Sequence, residues 1–167
     1  MTISQLTEKM IAFSNGNLHD VNHFMKVWGF ARTIGALEGL DPETLFILEA
    51  AAVVHDIACP LCRVKYGNTQ GKHQEEESPA LLEAFFQDTD LTERQKSRIV
   101  FLVSHHHTCT GVDGMDWQIL LEADYLVNAH ESAYSAENIL NTRRALFRTG
   151  SGLRLLDSLY PSEKRPS

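Results

Sequence analysis

Long apolar runs, a cysteine framework and an excess of positive charge are all missing from this 167-residue chain. No apolar stretch approaches the ~20 residues that a membrane-spanning helix needs, so no membrane partner is expected. The opening MTISQLTEKM lacks a basic segment followed by an apolar one, so no secretory signal is expected and the cytoplasm is the expected location. Three cysteines are too few, and odd in number, for a disulfide scaffold. A net charge of −7 argues against broad binding to a nucleic-acid backbone. It leaves room for a small phosphorylated ligand held by a metal or a few local cations. Sustained period-two alternation, internal repeats and low-complexity tracts are absent too.

What remains is helical periodicity. The composition, 43% hydrophobic and 22% charged, is that of one globular domain, expected over residues 1–160, with the polar segment 161–167 a flexible tail. Residues 2–13 form a first short helix. Residues 18–39 carry an apolar stripe at Val21, Phe24, Met25 and Trp28. Asp41 and Pro42 form a start signal for a third helix, in which only Glu49 is polar between Leu45 and Val54. A helix apolar nearly all round is a buried central one. Residues 60–72 are expected to be a loop, either a lid or a plain connector, with Ser78-Pro79 opening the next helix. Further helices are expected after Thr92, over 115–131 and over 134–148, and a closing amphipathic helix packs on the core. The expected fold is an all-α, single-domain bundle of six or seven helices.

Four of these helices place an ionisable group where the pattern calls for an apolar one. His23 shares a face with Val27, Phe30 and Ile34; His55 and Asp56 end the apolar run AAAVVHDI; His106 follows Ile99 and Val103; Asp124 lies on the stripe of Trp117, Leu120, Leu121 and Val127. A buried carboxylate is expensive unless paired, hydrogen-bonded or bound to metal. One inward histidine is ordinarily a satisfied core residue, but no Lys or Arg falls on the stripes of His55–Asp56 or Asp124. Convergence on a divalent cation accounts for all of them together, and imidazole with carboxylate suits Mn, Fe, Mg, Co, Ni or Zn.

The order H…HD…D on an all-helical chain resembles the HD superfamily of metal-dependent phosphohydrolases. HFMKV, LEAAAVVHDIA and LLEADYLVNA carry the resemblance, which covers residues 18–130 and is nearest to small single-domain bacterial members. It implies His23, His55, Asp56 and Asp124 as ligands of one metal. His73 and the pair His105-His106 occupy places where two-metal members hold a second ion. It implies hydrolysis of a phosphoester or phosphoanhydride of a nucleotide or other small phosphorylated metabolite by metal-activated water. Asp56 would orient the water, with His73, Glu75 and Glu76 as proton donors. Lys26, Lys65 and Lys72 would contact phosphate, each with the alternative of a solvated surface charge. The chain departs from the family in having Cys59 where a lysine or other polar residue often follows the dipeptide. It also lacks the GYP wording of cyclic-di-GMP phosphodiesterases. Two other readings stay open: a catalytically weak nucleotide or metal sensor, and a di-iron HD-type oxygenase. A homodimer is compatible with the basic amphipathic segment near the end. The pair Cys59 and Cys62 reads as two ordinary thiols, and His107 and His130 as surface residues.

Overall fold

Thr2 and Gln5 each bond the other's backbone amide, and this capping box starts the first helix, α1 (Ile3–Phe13). The computed structural model describes residues 1–161, and the tail expected at 161–167 falls almost wholly outside them. Asn17 caps α2 (Leu18–Leu37) through the Asp20 amide. Asp41 accepts from the Glu43 and Thr44 amides at the start of α3 (Pro42–Val54), and Pro42 occupies the first turn, where its missing N–H costs nothing. Then follow α4 (Cys59–Tyr66), α5 (Gly71–Phe85), α6 (Glu93–Val103), α7 (Met115–Glu131), α8 (Ala136–Ala145) and α9 (Gly150–Leu159). A second capping box, Thr92 with Gln95, opens α6.

The all-α, single-domain architecture is as the sequence predicts, but the described residues hold nine helices rather than six or seven. α3 is the central helix. Residues 47–54 are all buried, and α1, α2, α6 and α7 pack around them. Its alanines at 50, 51 and 52 let those neighbours approach closely. Its one polar core residue, Glu49, accepts from Trp28 Nε1 at 2.8 Å and Arg32 Nη1 at 2.7 Å, so the buried charge is paired.

The expected loop at 60–72 is instead mostly helix. Pro60 sits in the first turn of α4, a place proline tolerates, and Gly67 ends the helix in the left-handed region at φ 69°. α5 begins at Gly71 rather than at Ser78-Pro79, and Pro79 lies inside it. The segment 134–148 is also broken differently: α8 ends at Ala145 and α9 starts at Gly150. The break is held by Glu122, a fully buried carboxylate on α7. It accepts from the amides of Arg148 at 2.7 Å and Thr149 at 3.0 Å, from Gln118 Nε2 at 2.8 Å, and from the Thr149 hydroxyl. Thr149 caps α9 in turn through the Gly152 amide. A Cβ on Gly152 would lie 2.0 Å from Glu122 Oε2, so any larger residue there forces the buried carboxylate to move. The stretch Pro42–Tyr66 is long and apolar enough to cross a membrane by length and composition, contrary to the sequence expectation, but most of it is buried inside the fold.

Candidate metal centre

His23 projects from the second turn of α2, Asp124 from the middle of α7, and His55 is the residue at which α3 ends. Asp56 follows in a tight turn closed by Ile57 N to Val54 O and Cys59 N to Asp56 O. His106 and His107 lie in the turn after α6. These segments bring the six side chains to one cavity of about 420 Å³, except that His55 sits behind its wall, fully buried.

Around His23 Nε2, the His55 Nε2 atom lies at 3.2 Å, Asp124 Oδ1 at 3.2 Å and Asp56 Oδ2 at 3.5 Å. His55 Nε2 lies 3.6 Å from both Asp56 Oδ1 and Asp124 Oδ1. Ligand atoms bound at ~2.1 Å to one cation stand ~3.0 Å apart in an octahedron and ~3.4 Å apart in a tetrahedron. The spacing of the four side chains is that of a cation's ligand shell.

The hydrogen bonds behind the rings sharpen this. His55 Nδ1 faces the Ala52 carbonyl at 2.9 Å, His106 Nδ1 faces the Val103 carbonyl at 2.6 Å, and His23 Nδ1 faces Glu131 Oε2 at 2.7 Å. An acceptor behind each Nδ1 puts the proton there and leaves Nε2 of the neutral ring as a lone pair. Three imidazole lone pairs and two carboxylates then face one another, with no donor among these five groups. His106 Nε2 is buried with no hydrogen-bond partner and lies 3.6 Å from Asp56 Oδ1. Such a cluster repels itself unless protons or a cation fill it. It can therefore hold a metal ion, through His23, His55 and Asp56, with Asp56, His106 and His107 forming an adjoining group.

Without a cation, protons take its place. Burial opposes charge on His23, but the hydrogen bond to Asp124, the charges of Asp56 and Asp124 and the bond to Glu131 lift its pKa to about 9. Burial likewise opposes ionisation of Asp124, which its bonds to His23 and His55 nevertheless hold far below the usual carboxylate range. Asp56 is lowered as well: burial is overcome by the surrounding His55, His106 and His23. His106 is raised against its burial by Asp56. His107, exposed at the cavity rim, moves the other way, to about 4, through desolvation and the charge of His106 beside it.

Supporting side chains fix the ligands. Lys26 Nζ bonds Glu131 Oε1 at 3.0 Å, steadying the carboxylate behind His23, and Asn128 Nδ2 donates to Asp124 Oδ1 at 2.8 Å. Glu75 accepts from the His107 amide at 3.1 Å and the Thr108 hydroxyl at 3.0 Å, tying the turn after α6 to α5. Gly71 makes room for the His107 ring, since a Cβ there would lie 2.6 Å from its Cγ.

Several expected site residues lie elsewhere. His105 turns away from the cavity: its ring stacks on Phe101 with centroids 4.3 Å apart, and its Nδ1 faces the Phe101 carbonyl. His73 stacks flat on Tyr66 at 3.8 Å, because the segment before it is helix and not an open loop. Lys72 and Glu76 pair with each other on the outside of α5, and none of His73, Lys72 and Glu76 lines the cavity. Lys26 serves Glu131 rather than the cavity wall. His107 is exposed, as the sequence reading has it, but it also lines the cavity, and sequence reasoning missed that along with Glu131, Asn128, Asp20 and Arg63. Asn128 and Glu131 lie four and seven residues after Asp124, on its own helix face, so the α7 periodicity carried that signal. Comparison of the chain with known protein families, with characterised proteins and with solved structures finds no match.

Proposed function

We propose that the chain is a metal-dependent phosphohydrolase of the HD type, acting on a small phosphorylated metabolite such as a nucleotide. The observation that carries this reading is the cluster of imidazole lone pairs and carboxylates contributed by four separate helical segments to one cavity. His23, His55, Asp56 and Asp124 would hold the first divalent cation. Asp56 is shared with His106 and His107, which would hold a second. Mn, Fe, Mg, Co, Ni and Zn all accept this donor set. When bound, such a cation lowers the pKa of a coordinated water and polarises a phosphoryl oxygen.

The chain's own residues do the rest. Glu131 and the Ala52 and Val103 carbonyls fix the histidine tautomers, so no ligand has to reorient when charge develops. Asp56, ionised and on the cavity wall, would accept a hydrogen bond from a water beside it and so orient that water. Tyr125, Leu121 and Leu146 give one part of the wall an apolar surface for the organic part of a substrate. The surplus of imidazoles beyond one cation's needs also favours a second reading, a di-iron oxygenase on the same cluster.

One screen separates the two. Purified protein is loaded in turn with Mn, Co, Ni, Fe and Mg and offered nucleotides, dinucleotides and sugar phosphates, with phosphate release and oxygen uptake followed together. The proposal expects metal-dependent phosphate release that Asp56→Ala abolishes. Oxygen uptake without phosphate release, or full activity in Asp56→Ala, contradicts it.

A further inference from the structure

We propose that Arg63 binds the outer phosphate oxygens of the substrate and is held ready for it by Asp20; the inference rests on the phosphohydrolase reading above. The cavity wall carries the carboxylates Asp20, Asp56, Asp124 and Glu131, and among the described residues Arg63 is the one Lys or Arg that lines it. A dianionic phosphoester entering such a wall meets like charge, which even two divalent cations offset only in part. A fixed guanidinium supplies the missing positive charge, and its planar fork matches two phosphate oxygens at once.

The side chain is arranged for that. Arg63 lies in the second turn of α4, and its Nη2 donates to Asp20 Oδ2 on the first turn of α2. No other protein atom among the described residues bonds the guanidinium, so Nε and Nη1 have no protein partner. Asp20 is mostly buried while Arg63 is 40% exposed, so the carboxylate is the anchored partner and the guanidinium the one facing solvent. The lysines considered for phosphate contact are occupied elsewhere: Lys26 with Glu131, Lys65 with Glu77 and Lys72 with Glu76. The cation thus stands seven residues after Asp56, on a helix that the sequence reads as a loop.

The test is binding of inorganic phosphate to manganese-loaded full-length protein, measured calorimetrically, with metal content determined for every variant. Arg63→Ala is expected to weaken phosphate binding roughly 10- to 100-fold, the range for loss of a charge-assisted pair, with metal content unchanged. Arg63→Lys keeps the charge without the fork and recovers part of the loss. Asp20→Asn breaks the ion pair but keeps the guanidinium, and phosphate affinity is expected to fall by about threefold, far less than in Arg63→Ala. Should Arg63→Ala not fold, Arg63→Gln, which keeps most of the side chain's length, replaces it. Unchanged affinity in the Arg63 variants overturns the inference while leaving the metal centre intact. An equal loss in Arg63→Ala and Asp20→Asn overturns it too, because the pair would then only brace α4. No phosphate binding by loaded wild type removes the phosphohydrolase reading and this inference with it.

Discussion

Metal binding to this cluster has to displace a proton from His23, and the cost is set by the pKa of about 9 that its carboxylate neighbours impose. Relative to the ordinary value of 6.5, the rise corresponds to about 3 kcal/mol of extra affinity for the proton. The sign differs for the two equilibria. In metal-free protein the protonated ring stabilises the fold fully below pH 6.5, and that contribution is lost as pH rises through 9. Metal affinity runs the opposite way, since only the deprotonated ring offers a lone pair. Apparent affinity should therefore tighten about tenfold per pH unit between pH 7 and 9, and level off above that. His106, also raised, adds to the proton release if a second ion binds. Calorimetric titration with zinc in buffers of different ionisation enthalpy counts the protons directly. The expectation at pH 7.5 is at least about one proton released per ion, falling toward zero above pH 9. An affinity flat between pH 7 and 8.5, with no proton release, would refute the assignment of His23 as a ligand whose proton the metal replaces.

Other perturbations separate the ligands from their surroundings. Asp124→Ala should strip the bound metal while leaving helical circular dichroism nearly unchanged; elemental analysis showing wild-type metal content would contradict the ligand set. Saturating metal at about 100 times its Kd should stabilise the fold by about 2.7 kcal/mol, or roughly 5–10 °C in Tm, and a chelator should reverse the shift. His107→Ala should lower the affinity for a second ion, whereas His105→Ala and His73→Ala should leave metal stoichiometry alone and lower Tm through lost ring stacking. A count reduced by His73→Ala instead would place that ring at the cluster. Gly152→Ala pushes a methyl into Glu122 and should cost about 1–3 kcal/mol in urea unfolding; a neutral change would show that the buried carboxylate can yield.

Much of the centre was legible because its ligands break regular patterns. His23 and Asp124 interrupt helix stripes, and His55 and Asp56 close an apolar run, so each stands out against 3.6-residue periodicity. That periodicity ceases to guide at Val103, where α6 ends, and the three following histidines sit in a turn. Which rings face inward there depends on Phe101 and Trp117 holding His105 outward and on Gly71 admitting His107. These are contacts between distant segments, and no local pattern encodes them. α4 was misread for a local reason: Cys-Pro-Leu-Cys followed by Gly67 looks like turn chemistry, yet the proline occupies the first helical turn and the glycine the end. That misreading also drew attention to Lys65 and Lys72, which pair with Glu77 and Glu76, and away from Arg63, which lines the cavity.

The central claim is that side chains from separate helical segments share one cation. A crystal of the zinc-loaded protein, with anomalous differences collected at the zinc edge, tests it most directly. The account predicts a peak ~2.0–2.2 Å from Nε2 of His23 and of His55 and from a carboxylate oxygen of Asp56 and of Asp124. A peak only at other residues, with Asp124 engaged by an arginine instead, would contradict it.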